Sequence, residues 1–276
     1  MKKTPLLALA ALLLSACGSS SPALSRVTSA PAASSEAASV EATSVLPSSS
    51  VFVAPTAEDF VPRYLNKIAS YKTYKAITKG STKATVFFIE TVQSIDVTLI
   101  KSEYSYLKNE SHSNMVNTVH EAYFHGEKTA YRNNDEAKYT VATLNEYLDV
   151  YGVYPFDAAI EGYLCGEGCI QSVEPIETEQ GYAFKLTFDP EKSTNNVRMQ
   201  MKAFGGLDDY PKFSSIAIDV YVKADLTPDH LDVTADYVAK MFLESNCHQE
   251  YRVDFSSFDE TIEVPNLDEV KSEYDF

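Results

Sequence analysis

The chain has 276 residues, 45% of them hydrophobic and 12% aromatic, with no tryptophan and a formal charge of −16 at neutral pH. Such acidity excludes nucleic acid, and an anionic surface bound by charge, because phosphate partners draw on clustered lysine and arginine. Solubility is the simpler use of the excess acid.

Lys2 and Lys3 precede an apolar run from Leu6 to Leu14, which leads into Leu14-Ser15-Ala16-Cys17. A basic start, a short apolar run and small residues before a cut are the marks of a secretory signal. The run is about half of the roughly 20 residues a bilayer span needs, so residues 1–16 are read as removed, not as a membrane helix. Leu-Ser-Ala-Cys resembles the lipobox of bacterial lipoproteins, which implies that Cys17 becomes the diacylated first residue. A plain signal peptide with an incidental cysteine is the alternative. Two acyl chains hold durably where a single one binds a membrane only marginally. Loss of Lys2 and Lys3 takes the formal charge from −16 to −18.

From Gly18 to Ala54 the chain is mostly serine and alanine, with no aromatic before Phe52. Nothing there buries enough apolar surface to offset ordering. As a coil it predicts a disordered tether with an end-to-end distance of roughly 35 Å, and about 120 Å when drawn out. Residues 17–55 are thus lipidated cysteine and tether, and 56–276 a single globular domain.

Cys165, Cys169 and Cys247 remain. In an exported protein disulfides persist, and the two glycines within Cys165-Gly-Glu-Gly-Cys169 supply the freedom a very short loop needs. A Cys165–Cys169 bridge is favoured, with pairing of either to Cys247 as the alternative. A zinc site on these cysteines and His248 lacks the paired spacing of structural zinc motifs.

Asp59 is a candidate cap for a first helix, with Phe60, Tyr64 and Ile68 on one face. Between Tyr71 and Val141 segments rich in Val, Ile, Thr, Tyr and Phe are punctuated at Gly80-Ser81, Asn109-Glu110-Ser111, His125-Gly126 and Asn133-Asn134-Asp135, which predicts antiparallel strands and hairpins. Residues 143–151 and 155–164 read as helices. Strand 181–188 alternates Tyr182, Phe184, Leu186 and Phe188. Asp189-Pro190 opens a helix that Gly205-Gly206 stops, with Val197, Met201 and Phe204 as its stripe. Strands follow at 214–224, 230–242 and 248–255. Strict alternation over such lengths predicts an α+β fold: a strongly curved antiparallel sheet, an incomplete barrel, with a few helices in its concave face.

This layout, closing on Tyr251-Arg-Val-Asp-Phe-Ser-Ser-Phe-Asp-Glu-Thr-Ile-Glu-Val-Pro265, resembles the LolA/LppX-like lipoproteins of bacteria. The resemblance implies a curved half-barrel whose better-known members carry lipids or lipid-modified proteins in a cavity, with no catalytic residues to carry over. Fold alone does not license function.

No phosphate loop, nucleophile elbow or His-Glu-x-x-His helix occurs in the globular part, so no cofactor, metal site or catalytic residue is expected. His120 and His125 read as a solvated pair pointing apart. The reading is a non-catalytic, membrane-anchored binding domain on the extracytoplasmic face of a bacterial membrane, the cell membrane first. It would take a hydrophobic ligand such as a lipid or acyl chain, lined by Val220, Val222, Tyr237 and Met241. The alternative is a surface or envelope protein-interaction module with a filled core.

Overall fold

The structure, a computed structural model, describes residues 52–86, 88–113, 117–134, 136–151, 159–164, 167–193, 197–199, 201–202, 207–241, 243–274 and 276, with Ala159, Glu161 and Met241 described through their backbone alone. The expected signal segment, Cys17, Cys165 and most of the expected tether lie outside this description.

Helix α1 (Phe60–Ser70) is followed by strands β1 (Tyr74–Val86), β2 (Ile89–Lys101), β3 (Ser105–Ser113), β4 (Asn117–His125), β5 (Lys128–Asn133) and β6 (Thr140–Thr143). Helices α2 (Leu144–Tyr151) and α3 (Ala159–Tyr163) come next, then β7 (Ile170–Ile176), β8 (Tyr182–Phe188), β9 (Lys212–Val222), β10 (Pro228–Met241), β11 (Leu243–Ser256) and α4 (Leu267–Tyr274). All eleven strands form one sheet in the order β6-β5-β4-β3-β2-β1-β11-β10-β9-β8-β7, and every neighbour pair is antiparallel.

The two meanders meet where the first strand pairs with the last. There the register runs from Lys75 opposite Ser256 to Thr85 opposite Asn246. Phe124 on β4 and Phe184 on β8 lie on opposite wings yet share one hydrophobic cluster, which requires the sheet to bend around it. The sheet does not close, and β6 and β7 are its edges. The connection through α2 and α3 therefore crosses the concave face from one edge to the other, and it buries Tyr147, Tyr151, Ile160 and Tyr163 there.

Each helix forms for a local reason. Phe60, Tyr64 and Ile68 are the buried stripe of α1, and Phe60 stacks on Phe184 with ring centroids 4.2 Å apart. Asp59 stands at the cap position without capping the helix by its side chain; its carboxylate accepts from the Thr56 N–H at 2.7 Å and from Arg63 at 3.2 Å. Helix α2 starts on a reciprocal box, in which the Thr143 N–H donates to Glu146 Oε2 at 2.7 Å and the Glu146 N–H donates to Thr143 Oγ1 at 3.2 Å. At Asp189 the carboxylate accepts from the N–H groups of Glu191 and Lys192, a turn; residues 197–199 and 201–202 are helical, with Val197 and Met201 in the core as expected. Phe204 lies outside the described residues.

Two expected breaks fall inside strands. Gly80 is mid-β1, where an added Cβ would meet Glu250 O at 2.2 Å and the Tyr251 Cβ at 2.4 Å. Its role is close approach of β1 to β11, not a turn. Asn109-Glu110-Ser111 lies within β3, with Asn109 and Ser111 buried and Glu110 paired to Lys108 at 3.0 Å on the other face. By contrast Gly126 (φ +57) and Asn134 (φ 49) do turn the chain in left-handed conformations. Strand β11 begins at Leu243, five residues before the alternation made it legible.

The outer face is not wholly wet. Residues after Ser256 fold back over β2–β5, and α4 and the terminus bury Val270 and Phe276 against Ile100, Tyr106, Tyr123 and Ala130. Ile262 and Val264, from the closing motif, pack on this second cluster.

Candidate functional site

The concave face divides into two parts. Over β8–β10 it is apolar and filled: Val220 and Val222 are buried in the main cluster, under the α1 stripe that rests on Phe184, the register partner of Val220. Tyr237 is buried in the same cluster. Met241 ends β10, and its side chain lies outside the described residues. Three of the four expected lining residues are thus brought to one face.

Across β3, β2, β1 and β11 the same face turns polar without becoming exposed. Thr78 and Thr82, Gln93, Ser111, Ser245 and Gln249 are all buried. The Gln93 amide donates to the Ser111 hydroxyl, and the hydroxyls of Tyr163 and Tyr251 share a hydrogen bond at 3.1 Å. Tyr237 OH faces Thr82 and Cys247, yet neither it nor Thr82 Oγ1 completes a hydrogen bond of full geometry. Burial pushes the Cys247 thiol up to about 12, and burial with the neighbouring Cys247 raises Tyr237 well above the phenol range. The thiol is accordingly protonated and inert at neutral pH. Cys169 and Cys247 are buried and not bonded to each other; Cys165, the expected partner of Cys169, is not described.

At the β4–β5 wing sits His120, where burial and not solvation is observed, correcting the reading of a solvated histidine pair. Its Nδ1 lies 2.9 Å from Asn133 Oδ1 and its Nε2 lies 3.0 Å from the Tyr147 hydroxyl. The neutral tautomer with the proton on Nδ1 satisfies both, since Asn133 Oδ1 accepts and Tyr147 donates. Burial lowers the pKa of His120 to about 4. His125, facing the other way, stacks on Tyr104 at 4.1 Å. The alternation of β4 sends neighbouring residues to opposite faces, which parts the two.

Glu121 shows what the outer face of β4 does. Its carboxylate accepts from Tyr106 at 2.9 Å, Tyr139 at 2.7 Å and Arg132 Nε at 2.8 Å. Burial works against its charge, but these donors outweigh it and hold the pKa below the usual carboxylate value. Burial, aided by the Glu121 charge, pushes Tyr139 up to about 12. The neighbouring Tyr123 hydroxyl donates to Pro265 O at 2.9 Å, and Tyr139 N–H to the Tyr274 hydroxyl at 3.2 Å. Beside this group opens a polar cleft of about 630 Å³, bounded by Lys75, Lys108, Arg132 and Pro265. With its acceptor positions filled, Glu121 is built to hold the C-terminal segment, not to take a proton from a substrate. Sequence reading missed it, because a carboxylate between His120 and Ala122 gives no periodic signal of its own.

Among the described residues no group of three or more His, Cys, Asp or Glu is placed to hold a metal ion, and no helix is long and apolar enough to cross a membrane. No family model matches the chain, and no curated protein does. Solved structures do resemble it. LprF from Mycobacterium bovis aligns at 7% identity and a TM-score of 0.37, over 78% of this chain and 99% of that one. A LolA superfamily protein from Nitrosomonas europaea aligns at 11% and 0.28, over 79% and 97%. A DUF1329 family protein from Desulfovibrio piger aligns at 8% and 0.30, over 79% and 98%. The resemblance read from the sequence has its counterparts there. At TM-scores below 0.5 they decide nothing about ligand or partner.

Proposed function

We propose that this chain is a lipid-anchored, extracytoplasmic, non-catalytic binding domain that takes a hydrophobic ligand, a lipid or acyl chain, against the concave face of its sheet. Cys17 carries the anchor and residues 18–55 the tether. The observation that supports this is the composition of the interior between the sheet and the crossing connection. An apolar wing continues into buried hydroxyls and amides, with Thr82 and Tyr237 lacking full hydrogen bonds. Buried polar atoms are nearly always partnered, and an amphiphile whose ester or hydroxyl reached Thr82 and Tyr237 would complete them while its chains took the place of the α1 stripe over Val220 and Val222. Met241, at the end of β10, belongs to the same proposed lining.

Native mass spectrometry of the full chain released from membranes tests it. The anchor stays covalent, whereas a ligand dissociates as a separate mass; a lipid adduct is expected, and protein consistently free of any adduct overturns the reading. The close packing of Val220 and Val222 under α1 favours the second reading, an envelope protein-interaction module with a filled core, should no ligand be found.

A further inference from the structure

The sheet has two unlike ends. At one end, the turns carry Glu103, Glu177, Glu179, Asp225, Asp259 and Glu260 against Lys72 and Lys223. The other end is where the β1–β2 and β10–β11 hairpins turn. Val86 pairs with Ile89 across the first hairpin, with Phe88 in its turn, and Met241 pairs with Leu243 across the second. Phe88 is 100% exposed, Ile89 69% and Leu243 44%. Tyr210, exposed as well, precedes β9 at this end, and the Asp208 N–H bonds to Lys240 O. Behind the tips the exposed charges come closer to balance than at the acidic end, Lys83, Lys212 and Lys240 against Glu90, Asp208, Asp209 and Glu244, in a chain of net charge −16.

We propose that this end of the sheet is a membrane-docking edge, in which Phe88, Ile89 and Leu243 enter the headgroup and acyl boundary of a lipid bilayer. The shape of the feature favours that partner. Bulky apolar side chains at hairpin ends fit a fluid medium, which needs no complementary pocket, and exposed apolar groups of this kind mark interaction surfaces. Each contributes by the apolar area it buries at the boundary. The charge pattern orients the molecule: the acidic end is repelled by lipid phosphates, while Lys83 and Lys240 extend along the tips with their ammonium groups in reach of headgroups. Tyr210 adds an aromatic ring with a polar tip, the type enriched at membrane interfaces. The inference goes beyond ligand binding, since a chain with an empty interior inserts equally well, so lipid copurification enters neither outcome below.

The absence of tryptophan makes the test direct. Full chains carrying Phe88→Trp, Leu243→Trp or Glu179→Trp, the last at the acidic end, are each reconstituted through their anchor into phosphatidylcholine vesicles, with and without brominated phosphatidylcholine. A blue shift and loss of emission intensity are expected at positions 88 and 243, with position 179 unchanged; the two tip variants report independently if one fails to fold. Adding Phe88→Asp and Ile89→Asp to the Leu243→Trp chain should abolish the shift. Emission that ignores the vesicles at both tips, or equal quenching at positions 88 and 179, overturns the proposal.

Discussion

His120 and His248 respond to pH in opposite senses. Asp236, first, and then Glu250 raise the pKa of His248, whose ring nitrogens lie 2.7 and 3.0 Å from them. Its contribution to stability is complete below the unfolded value of roughly 6.5 and is lost as pH rises through the higher folded value. His120 is held neutral down to about 4, so between roughly pH 6.5 and that value the unfolded chain binds a proton that the folded chain refuses, and stability falls on acidification. Nitrogen-detected NMR of the imidazoles should show His248 keeping its proton above the usual histidine range and His120 titrating only near its lower value. Coincident titration of the two would contradict this. Glu121→Gln removes the charge facing Arg132 and should cost about 3 kcal/mol, or roughly 6–12 °C of Tm in a domain of this size. Because the carboxylate pKa is depressed in the fold, the gap between variant and parent is widest near neutral pH and closes as pH falls through the folded value; calorimetry at several pH values reads it.

Among the elements, those with one apolar face were legible from their periodicity. Helix α1, β8, β9 and β10 emerge near their expected bounds because alternation or a three-to-four spacing marks the buried side. The start of β11 was not, since its inward residues there are Ser245 and Cys247, and a buried polar face leaves no alternation of hydrophobicity. The same masking hid the middle of β3. Gly80 misled for another reason: glycine signals both turns and close approach, and only the neighbouring strand decides which. Gly80→Ala should push β1 from β11 and cost about 3 kcal/mol, seen as a lower urea midpoint with an unchanged slope. Of the interior, one apolar wing was legible through Val220, Val222 and Tyr237; the polar wing and the Glu121 group arise only when strands distant in sequence are brought side by side.

For the molecule as a whole, the pairing of β1 with β11 joins the two ends of the globular chain at the middle of its sheet. Amides of β1 and β11 should therefore exchange with solvent among the slowest, at the free energy of global opening, while β6 and β7 at the edges exchange sooner. That pairing also bears on biogenesis. Synthesis from the N-terminus delivers β1 roughly 170 residues before its partner. Until β11 arrives, the first meander waits with a thirteen-residue strand unpaired along one side, an open template for another copy's strands. The rate of chain delivery and the company of chaperones then decide between a monomer and an exchanged assembly, and slow arrival of the C-terminal strands is the condition under which this chain is most exposed to misassembly.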